Sequence, residues 1–282
     1  LPPRPWVNVV ANERAGFLVS ERGAGCTWSG NSREHRLTPW SNDTVTDPHD
    51  EALYLRDDES GRIWSPLPGP APLPAGYEVR HGFGSSRFTV AGEGLVHETA
   101  LFVPPEDPVK VVRLRLRNPG SRPRRLTAVW YARLVLGVLP EETAASVQIE
   151  TGPGVVRARN PEERGYEEAV AFVAAPGGDV LATDRGSFLG AAGEMARPEA
   201  LRRGDVGSDP DDGGNREDGG DRDDGSESGG GGGGSDGDDR RRSSGRGRAG
   251  GATTGAARPS GEPCAALAVQ LEIAAGGEVE VH

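Results

Sequence analysis

The chain has 282 residues and a net charge of −11 at pH 7, and 20 of its 43 glycines fall within residues 203–262. That stretch holds 14 acidic residues and 9 arginines, and Val206 is its only large aliphatic residue, so it cannot bury enough apolar surface to offset its ordering entropy. The acidic balance argues against a nucleic-acid-binding domain, and no apolar run approaches the roughly 18 residues of a membrane span.

Short strands are predicted along most of the chain, wherever apolar side chains alternate with polar ones or form a brief run. The shorter candidates cover residues 16–20, 53–56, 77–81, 87–90, 96–103, 147–150, 155–159 and 169–174. Glycine- and proline-containing turns separate them, and helical periodicity is nearly absent apart from one turn at residues 140–145.

Three longer segments carry the clearest strand patterns. In residues 109–117 the leucines alternate with arginines, which predicts one face toward the core and one face toward solvent. Residues 126–136 form a longer, more apolar run and predict a central strand that is covered on both faces. Residues 266–273 alternate again, and a turn at 274–277 is predicted to lead into a further strand at residues 278–281.

About a dozen short strands with frequent turns predict an all-β fold, namely a large antiparallel β-sandwich with a long disordered loop. Residues 1–202 form its first part, residues 203–262 form a disordered Gly/Asp/Arg-rich insertion, and residues 263–282 supply the final strands of the same sandwich. The glycine run at 229–234 is interpreted as a spacer, because a phosphate-binding loop needs a lysine and a following helix.

Cysteines and histidines give no sign of a metal or redox site. Cys26 and Cys264 lie too far apart in sequence for a disulfide framework or a zinc motif, so buried thiols in a reduced, cytoplasmic setting are expected. The five histidines show no metal-ligand spacing, and His81, in a glycine-rich motif, is interpreted as structural. We therefore expect no metal.

The densest group of unusual residues lies in residues 23–47, which lack alternation and are predicted to be a loop. Flat aromatic faces, amides, carboxylates and arginines occur together there, and sugar sites use this mixture to stack on pyranose rings and grip hydroxyl pairs. The alternative is a long connection whose tryptophans plug the end of the sandwich and whose polar groups satisfy turns. No pair of carboxylates stands out as acid and base.

Several motifs together resemble one known family. They are PWVNVVAN, GFLVSERGAGCTWSGNSREHRLTPWSNDTVTDPHDEALYLRDDESGRIWSPLP, RHGFGSSRF, DPVKVVRLRLRN and EPCAALAVQLEIAAGGEVEV. They resemble the amino-terminal β-supersandwich domain, galactose-mutarotase-like in fold, of glycoside hydrolase family 94, formerly glycosyltransferase family 36. The likeness is greatest to the version in bacterial cyclic β-1,2-glucan synthases, with cellobiose and chitobiose phosphorylases as more distant relatives.

That resemblance implies an enzyme context. Family members are inverting phosphorylases in which phosphate attacks a β-glucoside, and their catalytic aspartate lies in an (α/α)6 barrel that follows the sandwich. We therefore expect no catalytic residue in this chain and no cofactor except inorganic phosphate as co-substrate of the parent enzyme. The implied partners are a β-glucan or oligosaccharide, the barrel and a second subunit in a homodimer. The implied location is cytoplasmic, including the cytoplasmic part of an inner-membrane protein.

The resemblance also singles out the residues that line the sugar cleft or pack on the barrel. These are Trp28, Asn31, Ser32, Arg33, Arg36, Trp40, Asn42 and Asp43. Cys26 and His35 depart from the family pattern, so sugar contact is not expected of them. Two alternatives stay open: a purely structural docking and dimerisation module, and an autonomous mutarotase or lyase, for which no His–Glu base pair is evident.

Overall fold

The computed structural model describes residues 5–203 and 261–282, so the predicted disordered insertion lies almost wholly outside the described residues. Within them the chain forms sixteen β-strands and three short helices. All pairings between these strands are antiparallel. The prediction of a large antiparallel β-sandwich is confirmed.

Two of the four sheets contain the strands on either side of the candidate loop, which connects β3 to β4. The N-terminal sheet has the order β1 (Val7–Ala11), β2 (Ala15–Ser20), β3 (Gly25–Ser29). The central sheet has the order β14 (Asp179–Asp184), β15 (Pro263–Ile273), β10 (Arg124–Arg133), β4 (Glu51–Asp57), β5 (Ile63–Trp64).

The other two sheets complete the sandwich. The facing sheet has the order β16 (Glu278–Val281), β9 (Val111–Arg117), β8 (Leu95–Phe102), β7 (Ser85–Gly92), β6 (Glu78–His81). The side sheet has the order β11 (Gln148–Gly152), β12 (Val155–Arg159), β13 (Ala171–Ala174).

The main hydrophobic core lies between the central, facing and N-terminal sheets. Leu126 of β10, Leu116 of β9 and Phe17 of β2 are fully buried in it. The alternation in β9 sets this arrangement, because its leucines enter the core while Arg115 and Arg117 remain on the solvent side. The sequence prediction for this strand is confirmed.

A second core covers the opposite face of the central sheet. It is closed by the short helices α2 (Arg185–Leu189) and α3 (Glu199–Arg203), while α1 (Pro140–Thr143) is the predicted single turn. Phe188 of α2 stacks on Tyr131 of β10, with ring centroids 4.7 Å apart. Strand β10 is therefore covered on both faces, as its continuous apolar run predicts.

The structure corrects the interpretation of residues 23–47 as loop throughout, because β3 lies within them. Phe17 pairs with Thr27, and Leu18 pairs with Cys26 on the opposite face of the N-terminal sheet. Thr27 points toward the main core, and Cys26 is buried beneath the segment that follows β3. A strand covered on both faces needs no alternation of polar and apolar residues, which is why the pattern did not reveal it.

The predicted turn at residues 274–277 and the strand that follows it are confirmed, but that strand joins a different sheet from β15. Strand β15 already pairs with β10 on one edge and with β14 on the other. Both of its edges are occupied, so the turn carries the chain across to β9 in the facing sheet, where β16 forms. The end of the described chain thus joins two sheets.

His97 is a fully buried histidine in β8 whose two ring nitrogens are both engaged. The indole Nε1 of Trp64 donates to Nε2 of His97 at 3.1 Å, and Nδ1 of His97 donates to the carbonyl of Val90 at 3.1 Å. Because Nε2 accepts a hydrogen bond, the ring is neutral. Burial lowers the pKa of His97 to about 4.

Acid should therefore destabilise this fold through His97. Between about pH 6.5 and about pH 4 the unfolded chain binds a proton that the folded chain excludes, so the free energy of unfolding falls with pH by roughly 3 kcal/mol in total. We expect urea unfolding of the wild type to show about 2 kcal/mol of this loss between about pH 7 and about pH 5. His97→Gln should reduce the pH dependence, whereas His282→Gln, at an exposed histidine, should retain it. Equal acid sensitivity in both variants would contradict the assignment.

Candidate functional site

The candidate loop comprises residues 30–50, between β3 and β4, and it is fixed to the sandwich at several points. Arg36 exchanges backbone hydrogen bonds with Gly137, and the amide of Leu37 donates to the carbonyl of Thr27 at 2.8 Å. Near the other end, Ser20 Oγ donates to the carboxylate of Asp47 at 2.7 Å in a buried contact. The loop is thus a packed element, and its residues 35–38 run along the edge of β3.

Trp28 is the one predicted site residue that lies in a strand. Its half-buried ring crosses Gly16 of the neighbouring strand, where a β-carbon would lie 2.5 Å from Cζ2 of the indole. Only glycine at position 16 permits this approach. The position of the tryptophan therefore depends on a residue twelve positions earlier in the chain.

Asn31 and Asp43 each form a turn within the loop. Asn31 Oδ1 accepts the backbone amides of Arg33 and Glu34 at 2.9 and 3.0 Å. Asp43 accepts the Thr46 hydroxyl at 2.7 Å and also two backbone amides. These bonds, with the hydroxyl first, lower the pKa of the Asp43 carboxyl. Both side chains fix the local backbone, as Asn and Asp commonly do in turns.

The remaining predicted residues differ in exposure. Arg36 is half-buried and its Nε donates to the carbonyl of Ser32 at 3.1 Å, so this pair is satisfied within the loop. The side chain of Arg33 is 82 % exposed, with Glu34 Oε1 3.7 Å away. Asn42 is exposed in a left-handed conformation with φ of 54°, and Trp40 is half-buried. Arg33 and Asn42 are therefore among the polar residues that the loop presents to solvent, along with exposed Asn31, Ser32 and Asp43.

The two departures from the family pattern are both packing residues. Cys26 is buried, and burial raises the pKa of its thiol to about 12. His35 stacks on Tyr166, with ring centroids 3.9 Å apart and planes at 4°. Burial lowers the pKa of His35, and its Nδ1 contacts the carbonyl of Ser29 at 3.2 Å. Neither side chain is available to a ligand as an ion.

Tyr166 introduces a second segment, residues 160–169, that the sequence interpretation did not include. Glu163 of this segment has a raised pKa, caused by partial burial and by the carboxylates of Glu34, Glu142 and Glu167. The signal for this segment is a single tyrosine among glutamates in NPEERGYEEA. An isolated aromatic residue in a charged loop needs a packing partner, which His35 supplies.

A buried ion pair anchors the base of the candidate loop. Lys110, just before β9, pairs with Glu51 at the start of β4, and their side chains are 7 % and 4 % exposed. Glu51 also accepts the hydroxyls of Thr27 and Thr38, which bracket the first part of the loop. The Lys110 ammonium lies 4.8 Å from the ring centre of Phe17.

The electrostatics of this pair follow from its surroundings. Burial opposes ionisation of Glu51, but the charge of Lys110 and the hydrogen bonds from Lys110, Thr27 and Thr38 outweigh it and lower the pKa of the carboxyl. The carboxylate is therefore ionised and fully engaged at neutral pH.

The same residues border a cleft of about 470 Å³ between the side, facing and central sheets. Among the eight predicted site residues, Trp28 lines this cleft, and the other seven lie outside it. Within the part of the chain that the structure describes, no cluster of three histidine, cysteine or acidic side chains has a metal-binding arrangement. No helix in residues 5–203 and 261–282 has the length and apolar character of a membrane span.

Comparison with known proteins places these features in a family context. Residues 1–215 match the family model described as glycosyl hydrolase 94, supersandwich domain. Over 207 residues the chain is 39 % identical to the cyclic beta-(1,2)-glucan synthase NdvB of Rhizobium meliloti (strain 1021). That match covers 72 % of this chain and 7 % of the synthase.

Two phosphorylases are also similar over shorter stretches. The N,N'-diacetylchitobiose phosphorylase of Vibrio furnissii is 31 % identical over 46 % of this chain and 16 % of its own length. The 3-O-beta-D-glucopyranosyl-beta-D-glucuronide phosphorylase of Paenibacillus borealis is 26 % identical over 44 % of this chain and 15 % of its own length. The chain thus spans a small fraction of each relative.

Removing the charge of Lys110 should destabilise the protein strongly. Lys110→Met leaves the Glu51 carboxylate buried without its cation, which costs about 3–5 kcal/mol at neutral pH. The double variant Lys110→Met/Glu51→Gln should recover most of this loss, because the glutamine oxygen still accepts from Thr27 and Thr38. Urea unfolding at about pH 7 measures both effects.

The pH dependence gives an independent check on the pair. The lowered pKa of Glu51 means that its contribution is complete above about pH 4.5 and is lost as the pH falls through the folded-state pKa. The difference in stability between the wild type and Lys110→Met should therefore shrink in acid. A difference that stays constant down to about pH 3 would argue against an ionised pair.

Proposed function

The chain belongs to the glycosyl hydrolase 94 supersandwich family, and on that premise we propose that it is a non-catalytic, carbohydrate-associated domain. The enzyme it serves is a β-glucan phosphorylase or a cyclic β-1,2-glucan synthase. Its reaction is inverting phosphorolysis or transfer of β-glucosyl units, with inorganic phosphate as co-substrate. The domain packs on a following (α/α)6 catalytic barrel, and its candidate loop helps to shape the sugar cleft.

The observation that supports this function best is an anchored loop with exposed polar side chains beside aromatic ones. Arg33 is 82 % exposed and Asn42 is exposed, while the turns made by Asn31 and Asp43 hold the backbone that carries them. Guanidinium and amide groups grip sugar hydroxyls, and the half-buried Trp40 adds an apolar surface for pyranose faces. A fixed backbone reduces the entropy lost on binding.

The state of Asp43 argues that the chemistry lies outside this loop. Its carboxylate accepts a hydroxyl and two amides, and these contacts lower its pKa. A general acid must hold a proton near the working pH, so a carboxyl with a lowered pKa is unsuited to that role. The sugar contacts assigned to the loop are therefore positioning contacts.

The relatives support a carbohydrate as the ligand. The names of the synthase and of the two phosphorylases all specify a glucan or a sugar derivative. The same domain occurs in enzymes that act on different sugars. It is therefore better suited to a general role in shaping the sugar cleft than to recognition of one glycosidic linkage.

A second candidate function is a purely structural docking and dimerisation module without sugar contact. The observation that favours it is the apolar outer face of β1, where Val7 is 48 % exposed and Val9 is 59 % exposed. Exposed apolar side chains of this size, grouped on one strand, are typical of surfaces that pack on another domain or subunit. In this case the loop would serve only to cover the N-terminal sheet.

Substitution of Arg33 in the full-length enzyme distinguishes the two functions. For the cleft function we expect Arg33→Ala to lower kcat/KM about tenfold or more, which is the loss of one charge-assisted hydrogen bond, with unchanged Tm and assembly. The matched control is Arg157→Ala, at an exposed arginine on β12, which should change none of these.

The remaining outcomes decide against the proposal. An unchanged kcat/KM together with a weakened dimer or a lower Tm would support the structural module. In a separate assay, the 282-residue chain is incubated with β-1,2-glucan and inorganic phosphate. Release of glucose 1-phosphate by this chain alone would show that the domain is catalytic and would refute the proposed function.

A further inference from the structure

The cleft between the side, facing and central sheets carries an inference that is independent of the proposed function. Its floor is formed by apolar side chains of the central sheet, among them Trp130 of β10 and Val269 of β15. One wall is the stretch 169–176, which contains β13, and the opposite wall includes Val281 and His282 at the end of β16. The cleft therefore lies between two strand edges.

The chemistry of the cleft does not suit a sugar. Its charged groups are Glu51 and Lys110, and these bond to each other and to the hydroxyls of Thr27 and Thr38. Sugar hydroxyls need hydrogen-bonding partners that are still available, whereas most of the wall is aliphatic or aromatic. The cleft is better matched to apolar side chains.

Both strands that border the cleft have an open edge. Among the described residues, β16 pairs only with β9, and β13 pairs only with β12. Beside the cleft, Phe172 is 54 % exposed and Val170 is 59 % exposed. Unpaired backbone groups next to an apolar surface are what an added β-strand covers, because its backbone completes the ladder and its side chains fill the surface.

The charges on the facing sheet indicate the outward side chains of such a strand. Glu98, Arg115 and Glu280 are direct neighbours across β8, β9 and β16, and Arg115 Nε lies 3.1 Å from Glu280 Oε2. This acid–base–acid ladder ends on an acid at the open edge. Basic or hydroxyl side chains on the next strand would continue it, whereas a second β16 would place glutamates against glutamates. The pattern thus disfavours a second copy of this chain.

We propose that the cleft is an acceptor site for one extended polypeptide segment from outside these 282 residues. The segment adds to the open edge of β16 as a further strand of the facing sheet. Its side chains alternate: the inward ones are apolar and cover Trp130 and Val269, and the outward ones are basic or hydroxyl-bearing and lie beside Glu278 and Glu280. The partner is a polypeptide strand, and neither a sugar nor a small molecule is the occupant.

The test uses the 282-residue chain and three blocked octapeptides. The first alternates valine with arginine and threonine, the second has the same composition with its valines in adjacent pairs, and the third replaces arginine by glutamate. We expect the first to bind by calorimetry about tenfold or more tightly than either of the others, since period-two alternation and charge are both required. Hydrogen exchange should slow at residues 278–282 when it binds.

Two further measurements control for nonspecific hydrophobic binding and for misfolding. Phe83→Ser removes the most exposed large apolar side chain, which lies on the turn between β6 and β7, and should leave binding unchanged. The hydrogen-exchange measurement uses the wild-type chain, so its result does not depend on the folding of any variant. Equal binding of all three peptides, or protection elsewhere than at the β16 edge, would overturn the proposal. The proposal would also be overturned if dimerisation of the chain, or addition of β-1,2-glucan, protected the same amides.

Discussion

The buried pair of Lys110 and Glu51 is the contact at which the parts of this domain meet. The only lysine of an acidic chain lies in its interior, where it joins the facing sheet to β4 of the central sheet, while Thr27 brings in the N-terminal sheet and Thr38 the candidate loop. Removing two ions from water costs several kcal/mol each, so such a pair persists only where geometry and further hydrogen bonds compensate. Here two hydroxyls and the nearby rings of Phe17 and Trp130 provide that compensation.

This anchor explains how a loop with no regular secondary structure keeps one conformation. Glu51 fixes the base of the loop at Thr27 and Thr38, the exchange of hydrogen bonds between Arg36 and Gly137 fixes its middle, and Asp47 fixes its far end. Within the loop, Asn31 and Asp43 form turns that hold the backbone of its exposed polar residues. Display of selected side chains from a rigid sheet is the usual way in which sandwich folds carry binding surfaces.

The sequence predicted the parts of the fold whose signal is local. The alternation in β9 and the continuous apolar run of β10 each report on burial at that strand, and both predictions are confirmed. Strand β3 was not predicted because its neighbouring residues Gly25 and Cys26 are both buried, so its sequence does not alternate. Lys110 and Glu51 are 59 positions apart, and no local pattern indicates such a pairing. The turn-forming bonds of Asn31 and Asp43 follow from the chemistry of their own side chains, whereas the motif alone is also compatible with sugar contact.

The candidate loop and the cleft share the same support, although they face different partners. Thr27 and Thr38 hold the loop and also line the cleft, and both bond to Glu51. Protein interiors are close-packed, so a displacement of the buried pair cannot be absorbed by empty space and must move the groups that bond to it. A strand seated in the cleft would contact one side of this pair, and the loop bonds to the other. One carboxylate therefore supports both the candidate loop and the wall of the cleft.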